Sequence, residues 1–415
     1  MARLGRSFGF LWSSTALSNL ADGVLRVGAP LLAVSMTRSP TLVSLAGAAA
    51  TAPWLLFALH AGAIADRADR RRVMAWANAA RTAVLAVAAL LAAAGLLDLW
   101  ALLAVVFAAS VSEVFADTSA QSVLPMTVSQ GNLTRANGRI VSVQTIGNDF
   151  VGAPVAGLLV GVLPAALFGA PALLYGAAAL LLTGMRGGFS TAAAGPRRPL
   201  RADIGEALRY LWSHPFLRTL AVAAGLMNVA NAAYFAVFVL WVVGDGSAMG
   251  LEPGGYGLMM TAFAAGAVLG SPLTAWATRL LGEARTLVGA WLTTSLLLLA
   301  PVLVPSPWTL YPTAVVWGVV GAAANVLVVS LRQRVIPGEL LGRVNSAYRL
   351  VGMGGMPLGA ALGGVVAEFA GLAAVLAGAA GVCLVAVWLA WRAMSGRISA
   401  ALTSEPTLSD ISRSR

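Results

Sequence analysis

Long apolar runs constrain the fold of this chain more than any other feature. About twelve runs, each near the roughly 20 residues that a helix needs to cross a bilayer, follow one another along the chain. Hydrophobic residues make up 59% of the 415 residues, and the mean hydropathy of +0.83 is far above that of a soluble domain. The sequence predicts an all-α membrane protein with twelve transmembrane helices, at residues 8–35, 42–65, 73–95, 98–124, 138–163, 164–185, 216–243, 254–278, 285–304, 308–334, 344–370 and 371–395.

The basic residues indicate how these helices are oriented. All 27 are arginine, and most lie on the two tails or in the loops after the second, fourth, sixth, eighth and tenth runs. The other loops carry mainly acids, such as Asp98, Asp245, Glu252 and Glu368. Arginine accumulates on the cytoplasmic side of membrane proteins, so both termini are expected in the cytoplasm. The net charge of +11 therefore reflects membrane topology rather than nucleic-acid binding.

Several functional classes are excluded by the residues that the chain lacks. Without lysine there is no Walker A motif and no lysine Schiff base. Two histidines and the single Cys383 cannot form a usual zinc site, and a lone cysteine forms no disulfide within the chain. An enzyme, a cofactor and a metal are not expected. The expected partners are a small-molecule substrate, protons and the lipid bilayer, without nucleic acid, and the chain is expected to be a monomer.

The chain divides into two halves with related sequences. The longest polar interruption lies between the sixth and seventh runs, and residues 200–212 within it are amphipathic, which predicts a helix along the membrane surface. Leu133-Thr134-Arg135-Ala136-Asn137 recurs 208 residues later as Leu341-Gly342-Arg343-Val344-Asn345. A parallel repeat of this kind is one known architecture of secondary transporters. We predict helical bundles at 1–185 and 216–395, a linker at 186–215 and a tail at 396–415.

The segment between the second and third runs carries the clearest motif. Gly62-Ala63-Ile64-Ala65-Asp66-Arg67-Ala68-Asp69-Arg70-Arg71-Arg72 resembles the Gly-x-x-x-Asp-Arg-x-x-Arg-Arg signature of the major facilitator superfamily. The resemblance implies two six-helix bundles and a cytoplasmic gate that contains Gly62, Asp66, Arg67, Arg70 and Arg71. Gly62 would let two helices approach closely, and Asp66 would pair with an arginine or a helix N-terminus. A plain basic loop is the alternative.

Within that superfamily, the chain most resembles the drug–proton antiporters that include enterobactin exporters and macrolide efflux proteins. The likeness covers nearly the whole chain, including residues 18–26, 113–121, 136–150, 208–215 and 342–346. Gly138, Gly147, Gly152, Pro154 and Gly157 in the fifth run also resemble the antiporter motif of exporters, although plain helix packing is the alternative. The resemblance implies export from a bacterial cell through its inner membrane.

Charged residues inside the apolar runs are the candidates for coupling chemistry. A charge at the bilayer centre costs about 2.5–3.5 kcal/mol on insertion scales, so such residues usually have a function. Asp22, Glu113, Asp117 and Asp149 are the predicted proton-coupling residues. Burial favours the neutral form of a carboxyl group, which lets a buried acid take up and release a proton as access alternates.

Arg26 and Arg81 are the predicted charge partners of these acids. Helical spacing places Arg26 one turn from Asp22, and Arg81 is expected at the same depth as Asp117 on the neighbouring antiparallel helix. Glu113 has no evident basic partner in the sequence, and neither has Asp149. Ion pairs without a role in transport are the alternative interpretation of both pairs.

Polar and aromatic side chains on the inner runs are predicted to contact the substrate. They are Asn19, Gln144, Asn148, Asn228, Asn231, Tyr234, Phe235, Phe238 and Asn325. Aromatic groups can form the apolar wall of a pocket, whereas amides also serve as contacts between membrane helices. Helix packing is therefore the alternative role for each of them.

These features together predict a secondary transporter. It is expected to export an amphiphilic small molecule, such as a drug, a macrolide or a siderophore-like compound, in exchange for protons. A proton symporter that imports a nutrient is the first alternative. A membrane sensor or scaffold without transport activity is the second.

Overall fold

The computed structural model describes residues 5–190, 200–336 and 341–403, and helices account for nearly all of them. The first half contains α1 (Arg6–Met36), α2 (Pro40–Arg67), α3 (Arg70–Ala93), α4 (Leu99–Thr127), α5 (Leu133–Thr145), α6 (Ala153–Val162) and α7 (Pro164–Thr183). The linker helix is α8 (Leu200–Ser213). The second half contains α9 (Pro215–Val242), α10 (Pro253–Leu281), α11 (Glu283–Leu297), α12 (Ala300–Leu303), α13 (Pro307–Val335), α14 (Leu341–Met353), α15 (Met356–Ala370) and α16 (Leu372–Thr403). A 3₁₀ turn (Gln130–Asn132) precedes α5, and a π-helical segment (Ile146–Gly152) joins α5 to α6.

The helices form a multi-pass membrane protein. In the described part of the chain, eleven helical stretches are long and apolar enough to cross a membrane. α10 adds a twelfth if its two parts, which meet at a bend of 52°, count as one span. Spans 1 to 4 are α1 to α4, span 5 is α5 with the π segment and α6, and span 6 is α7. Spans 7 and 8 are α9 and α10, span 9 is α11 with α12, span 10 is α13, span 11 is α14 with α15, and span 12 is α16.

The linker and the C-terminal segment are described only in part. α8 occupies the residues for which the sequence predicts an amphipathic helix. α16 continues to Thr403, past residue 396, where the sequence predicts the tail to begin. Residues 191–199 of the predicted linker and 404–415 of the predicted tail lie outside the described residues.

Short polar side chains and prolines begin several of the helices. Ser39, Asp69, Asp98 and Ser306 accept hydrogen bonds from backbone N–H groups in the first turns of α2, α3, α4 and α13. Proline stands at the start of α2 and α13, where its missing N–H is not needed. These caps satisfy N–H groups that have no partner within their own helix.

The packing of the spans repeats between the two halves. In the first half, spans 1 and 6, 3 and 4, 2 and 4, and 1 and 5 pack together. The equivalent pairs in the second half are spans 7 and 12, 9 and 10, 8 and 10, and 7 and 11. This shared set of neighbours is the structural counterpart of the sequence repeat, and it is typical of a transporter built from two parallel repeats.

The two halves meet mainly on one side of the molecule. The largest contacts between them are those of α15 with α2 and of α6 with α10. These are the parts of spans 5 and 11 that lie away from α8. On the side of α8, α5 packs mainly on α1, and α14 packs on α8 and α9. The molecule is therefore open toward α8, which we call the linker side, and closed on the opposite side.

Glycines let spans 5 and 8 approach to backbone contact on the closed side. A β-carbon on Gly157 would lie 2.6 Å from the carbonyl oxygen of Pro253, and one on Gly257 would lie 2.6 Å from that of Ala153. No larger side chain fits at such distances, so this contact depends on glycine at both positions. Gly157 thus lies at the contact between the two halves. Helix packing therefore explains the glycine at this one position of the Gly/Pro pattern in span 5.

Polar contacts near helix ends also hold the closed side together. The Glu368 carboxylate accepts hydrogen bonds from the Ser39 hydroxyl at 2.9 Å and from the Thr41 N–H at 3.3 Å, in the first turn of α2. The Arg38 guanidinium donates to the Val243 carbonyl at 3.0 Å, at the end of α9. An acid at a helix N-terminus and a base at a helix C-terminus both interact favourably with the helix dipoles. We call these contacts the closed-side latch.

Replacing Gly157 by alanine should destabilise the closed side. The added methyl group meets the Pro253 carbonyl, and such overpacking costs about 1–3 kcal/mol. The measurement is the midpoint of thermal unfolding in detergent. Gly161→Ala on the same helix is the matched control, because nothing lies within 4 Å of its β-carbon position. Equal midpoints for the two variants would contradict the packing role of Gly157.

Candidate functional site

A buried arginine in the middle of α3 is the centre of the polar cluster in the first half. The Arg81 side chain is 1% exposed, and its Nη1 lies 3.2 Å from Oδ1 of Asp22 on α1. Its Nη2 lies 3.6 Å from Oε2 of Glu113 on α4. Its Nε donates to the backbone carbonyl of Ala109, one turn before Glu113. One guanidinium therefore connects spans 1, 3 and 4.

Tyr175 of α7 completes this arrangement, which we call the Arg81 cluster (Asp22, Arg81, Glu113 and Tyr175). The tyrosine hydroxyl donates a hydrogen bond of 2.5 Å to Asp22 Oδ1, and the Arg81 guanidinium lies 4.7 Å from the centre of the ring. Arg81 and the hydroxyl thus contact the same oxygen of Asp22. Tyr175 was not predicted from the sequence, where its signal is weak: it is the one tyrosine in an otherwise apolar span 6.

The ion pairs differ from those expected from the sequence. Asp22 pairs with Arg81 rather than with Arg26, and Arg26 Nη1 lies 3.8 Å from Oδ1 of Asp149. Spacing along one helix shows which residues share a face, but not which neighbouring helix that face meets. Asp22 meets α3 and α7, whereas the Arg26 side chain is 58% exposed and reaches span 5.

The Arg81 cluster contains more acid than base. Two carboxyl groups contact one guanidinium, and Asp117, one turn after Glu113 on α4, also lies within electrostatic range of it. Among the described residues, Asp117 makes no ion pair within 4.0 Å. The Asp22 side chain is 10% exposed and that of Glu113 is 26% exposed. In the part of the chain that the structure describes, no group of His, Cys, Asp or Glu side chains could hold a metal ion.

A π-helical break in span 5 positions Asn148 and Asp149 against α1. Pro154 follows the break, and because it has no N–H it cannot continue the regular hydrogen-bonding pattern. Asn148 Nδ2 donates to Asn19 Oδ1 at 2.9 Å. A β-carbon on Gly23 would overlap the backbone of Asn148, so the two spans also touch through their backbones. Where spans 1 and 5 cross, the Asn19–Asn148 amide pair therefore lies near the exposed Arg26–Asp149 ion pair.

The remaining amide candidates are Gln144 on α5, Asn228 and Asn231 on α9, and Asn325 on α13. Asn228 Nδ2 donates to the Gly352 carbonyl at 2.9 Å, so it joins α9 to α14. Asn231 Oδ1 is buried without a hydrogen-bond partner among the described residues, and so is Asn148 Oδ1. Asn325 is exposed on α13. Of the three amide candidates in the second half, Asn231 is the one with an unused buried acceptor; Asn345, which is not a candidate, has one as well.

Aromatic side chains form a cluster in the second half. Phe235 stacks on Trp317, with ring centres 5.0 Å apart and an angle of 13° between the rings. Tyr234 and Phe238 are buried, at 0% and 1% exposure, and the Tyr234 hydroxyl donates to a backbone carbonyl at the end of α11. Of the three aromatic candidates, Phe235 is therefore the one with accessible surface, while the other two pack the core of the second half.

The arginines of the predicted gate motif connect the ends of several helices on the linker side. Arg71 Nη1 donates to the Met185 carbonyl at 2.7 Å, after the end of α7. Arg70 Nη1 lies 3.2 Å from the sulfur of Met126, near the end of α4. Asp69, which the sequence analysis did not single out, caps α3 by accepting from two backbone N–H groups. The motif therefore fixes the start of α3 against spans 4 and 6.

Two other members of the motif, Gly62 and Arg67, make fewer contacts in this conformation. Among the residues that the structure describes, nothing from a neighbouring helix lies within 4 Å of a β-carbon position on Gly62, so the close helix approach expected there is not seen. The physical reason is that the two halves are apart on the linker side. Arg67 is exposed, and the side chain of Asp66 lies outside the described part of the structure.

Replacing Arg81 by glutamine should destabilise the protein strongly. Breaking a buried ion pair by removing one partner costs about 3–5 kcal/mol, because the other charge is left buried and uncompensated. The same change at Arg26, whose ion pair is exposed, should cost about 1 kcal/mol or less. The measurement is the free energy of unfolding in mixed micelles titrated with SDS.

A double variant tests the cause of that loss. Arg81→Gln with Asp22→Asn removes the charge on both sides and should recover part of the stability, by double-mutant-cycle logic. If the second substitution only adds to the damage, the loss has another cause than the unpaired carboxylate.

Comparison with known proteins is consistent with this architecture. The family model described as transmembrane secretion effector matches residues 4–408, nearly the whole chain. The multidrug efflux pump Tap of Mycolicibacterium fortuitum is 27% identical over 366 residues, which cover 85% of this chain and 87% of Tap. Macrolide efflux protein A of Streptococcus pyogenes is 27% identical over 152 residues, and that match spans just 37% of each chain.

Solved structures share the fold. A mutant of the nucleoside transporter NupG superposes with a TM-score of 0.76 at 14% sequence identity, over 93% of this chain and 99% of that one. A bacterial homologue of the iron transporter ferroportin, in an inward-facing state, superposes with a TM-score of 0.71 at 16% identity, over 94% and 99% of the two chains. Identities this low show the fold alone. The nearly full-length match to the family model shows more: the chain belongs to the transmembrane secretion effector family of the major facilitator superfamily.

Proposed function

We propose that this protein is a proton-coupled exporter of amphiphilic small molecules of the drug, macrolide or siderophore-like class. The observation that carries the proposal is the Arg81 cluster, in which carboxyl groups outnumber the one buried guanidinium. Such an excess of acid inside a membrane protein gives a proton a place to bind. Two relatives are named as efflux proteins, which supports export as the direction of transport.

Asp22 and Glu113 have different parts in this mechanism. Asp22 is held on one oxygen by both Arg81 and Tyr175, so it keeps the guanidinium neutralised. Glu113 makes a longer contact of 3.6 Å and has a more exposed side chain. A proton that binds Glu113 cancels its attraction to Arg81 without leaving that arginine unpaired. Glu113 is therefore the proposed proton carrier, with Asp117 and Asp149 as further coupling residues.

The second half supplies the substrate surface in this proposal. Asn231 and Phe235 lie one turn apart on α9 and share a face. The unused Asn231 oxygen is buried, so it can accept a hydrogen bond from a substrate once a local rearrangement uncovers it. The stack of Phe235 on Trp317 offers a flat apolar wall. A ligand with an apolar body and few polar groups suits this combination.

The open linker side gives the direction of loading. The distribution of arginine predicts that this side faces the cytoplasm of a bacterial inner membrane. The conformation would then be the one that takes up substrate from the cell interior. If the linker side then closed and the opposite side, which is closed here, opened, the substrate would be released outside the cell, as alternating access requires.

Replacing Glu113 by glutamine should abolish coupling to protons. Acid-loaded proteoliposomes should release protons when lipophilic cations, macrolides or siderophores are added, and the variant should lower this release about tenfold or more. Glutamine keeps the size and polarity of the side chain but cannot ionise. Glu252→Gln, an exposed acid at the start of α10, is the matched control and should leave the release unchanged.

Other outcomes of the same experiment have distinct meanings. Release that survives Glu113→Gln but is lost in Asp149→Asn would make Asp149 the proton carrier. Proton movement that runs with a nutrient in the same direction would favour the symporter alternative. Folded protein that is silent across all compounds would contradict drug export.

Replacing Asn231 by leucine should weaken substrate recognition. Losing one hydrogen bond costs about 1 kcal/mol, which corresponds to roughly a fivefold rise in the apparent KM with little change in the maximal rate. The measurement is the concentration dependence of substrate-driven proton release. Asn325→Leu, at an exposed amide of α13, is the comparison and should have the smaller effect. The reverse order would place the substrate contact on span 10.

A further inference from the structure

A pocket on the linker side lies outside the Arg81 cluster and the aromatic cluster. Its volume is about 620 Å³, and its walls are Leu55 of α2, Leu208, Arg209 and Trp212 of α8, and Leu350, Val351 and Gly354 of span 11. Both halves and the linker helix therefore contribute to it. No residue of the two candidate clusters lines this pocket.

The lining combines an apolar wall with a single charge. All of the lining side chains except that of Arg209 are apolar. Arg209 is exposed, and it forms no ion pair within 4.0 Å among the residues that the structure describes. An unpaired guanidinium at the edge of an apolar pocket favours an occupant with an acidic head and a hydrocarbon body.

The position of α8 indicates where such an occupant comes from. α8 is amphipathic and packs on α9 and α14, at the linker-side end of the transmembrane bundle. Trp212 is 47% exposed beside the pocket, and exposed tryptophan is typical of the boundary between lipid and water. At this boundary between lipid and water, the Arg209 guanidinium would lie at the level of the lipid phosphate groups.

We propose that this pocket binds an acidic phospholipid from the bilayer leaflet on the linker side. One acyl chain lies against Leu208, Leu350 and Val351, and the phosphate accepts hydrogen bonds from Arg209. The planar guanidinium suits two phosphate oxygens at once. The Arg209 guanidinium would repel a cationic amphiphile. The site therefore favours an acidic lipid over a cationic transported compound.

The pocket exists only while the linker side is open. A β-carbon on Gly354 would lie 3.2 Å from Leu55 Cδ1, which marks a point of contact between spans 2 and 11. Toward α8 the two spans separate, and the pocket fills the gap between them. Closing the linker side would close this gap. A bound phospholipid therefore stabilises the open state by binding it in preference to the closed one.

Native mass spectrometry of the full chain tests the proposal with phosphatidylglycerol and phosphatidylcholine as probes. Wild type should retain more phosphatidylglycerol than phosphatidylcholine after delipidation and addition of equal amounts. Arg209→Gln should lower the retained phosphatidylglycerol roughly fivefold. Arg285→Gln is the matched control, because Arg285 is an exposed arginine near the start of α11 and does not line the pocket.

A second variant tests the acyl-chain part of the site. Leu208→Trp fills the pocket from the surface of α8 and should also lower phosphatidylglycerol retention, although Arg209 is intact. Circular dichroism and gel filtration confirm that each variant is folded. This measurement involves no transport, so its outcome is independent of the proposed function.

Three outcomes would overturn the proposal. Unchanged phosphatidylglycerol retention in Arg209→Gln would show that Arg209 does not bind the lipid phosphate. An equal loss in Arg285→Gln would mean that phosphatidylglycerol is attracted by the basic surface in general. Displacement of the bound lipid by an added macrolide in the same mass-spectrometric measurement would assign the pocket to a drug-like compound instead.

Discussion

Burial of the Arg81 guanidinium is the interaction on which the first half of the protein depends. A full charge removed from water costs several kcal/mol unless it is paired and hydrogen-bonded with good geometry. The compensation comes from Asp22, Glu113 and the Ala109 carbonyl, with the Tyr175 ring above the charge. Spans 1, 3, 4 and 6 therefore cannot separate without leaving charges unpaired. The boundary between the two halves is therefore the place where large movements are expected in a transporter that works by rocking bundles.

The contacts at that boundary are of a kind that can be broken and remade. On the closed side, spans 5 and 8 touch through glycine backbones, and the latch consists of a few hydrogen bonds near helix ends. Neither feature buries an ion pair as deeply as Arg81 is buried. The first half is thus held by a strong internal interaction and joined to the second by weaker ones. This difference lets the halves rock while each keeps its own packing.

Features that depend on residues close together in the sequence could be predicted, whereas contacts between distant helices could not. The number and positions of the spans were predictable, because every span needs about 20 apolar residues and the loops are marked by arginine. The superfamily followed from the motif that begins at Gly62 and from the repeat between the halves. The partners of the charged residues did not follow, because Asp22 and Arg26 share a helix face whose two ends meet different helices. Tyr175 carried no pattern at all, since a single tyrosine in an apolar span is ordinary.

In the proposed function, the acid that is held most firmly and the acid that carries the proton are different residues. A proton carrier must exchange with water on both sides of the membrane in turn, so a carboxylate held firmly by two donors is a poor carrier. Asp22 has two such donors, whereas Glu113 has a single contact of 3.6 Å and more exposure. One proton entering down 100 mV supplies about 2.3 kcal/mol, which sustains roughly a fiftyfold gradient of a neutral substrate exported one for one. In this proposal, the loosely held Glu113 binds and releases the proton, while the firmly held Asp22 keeps Arg81 in place.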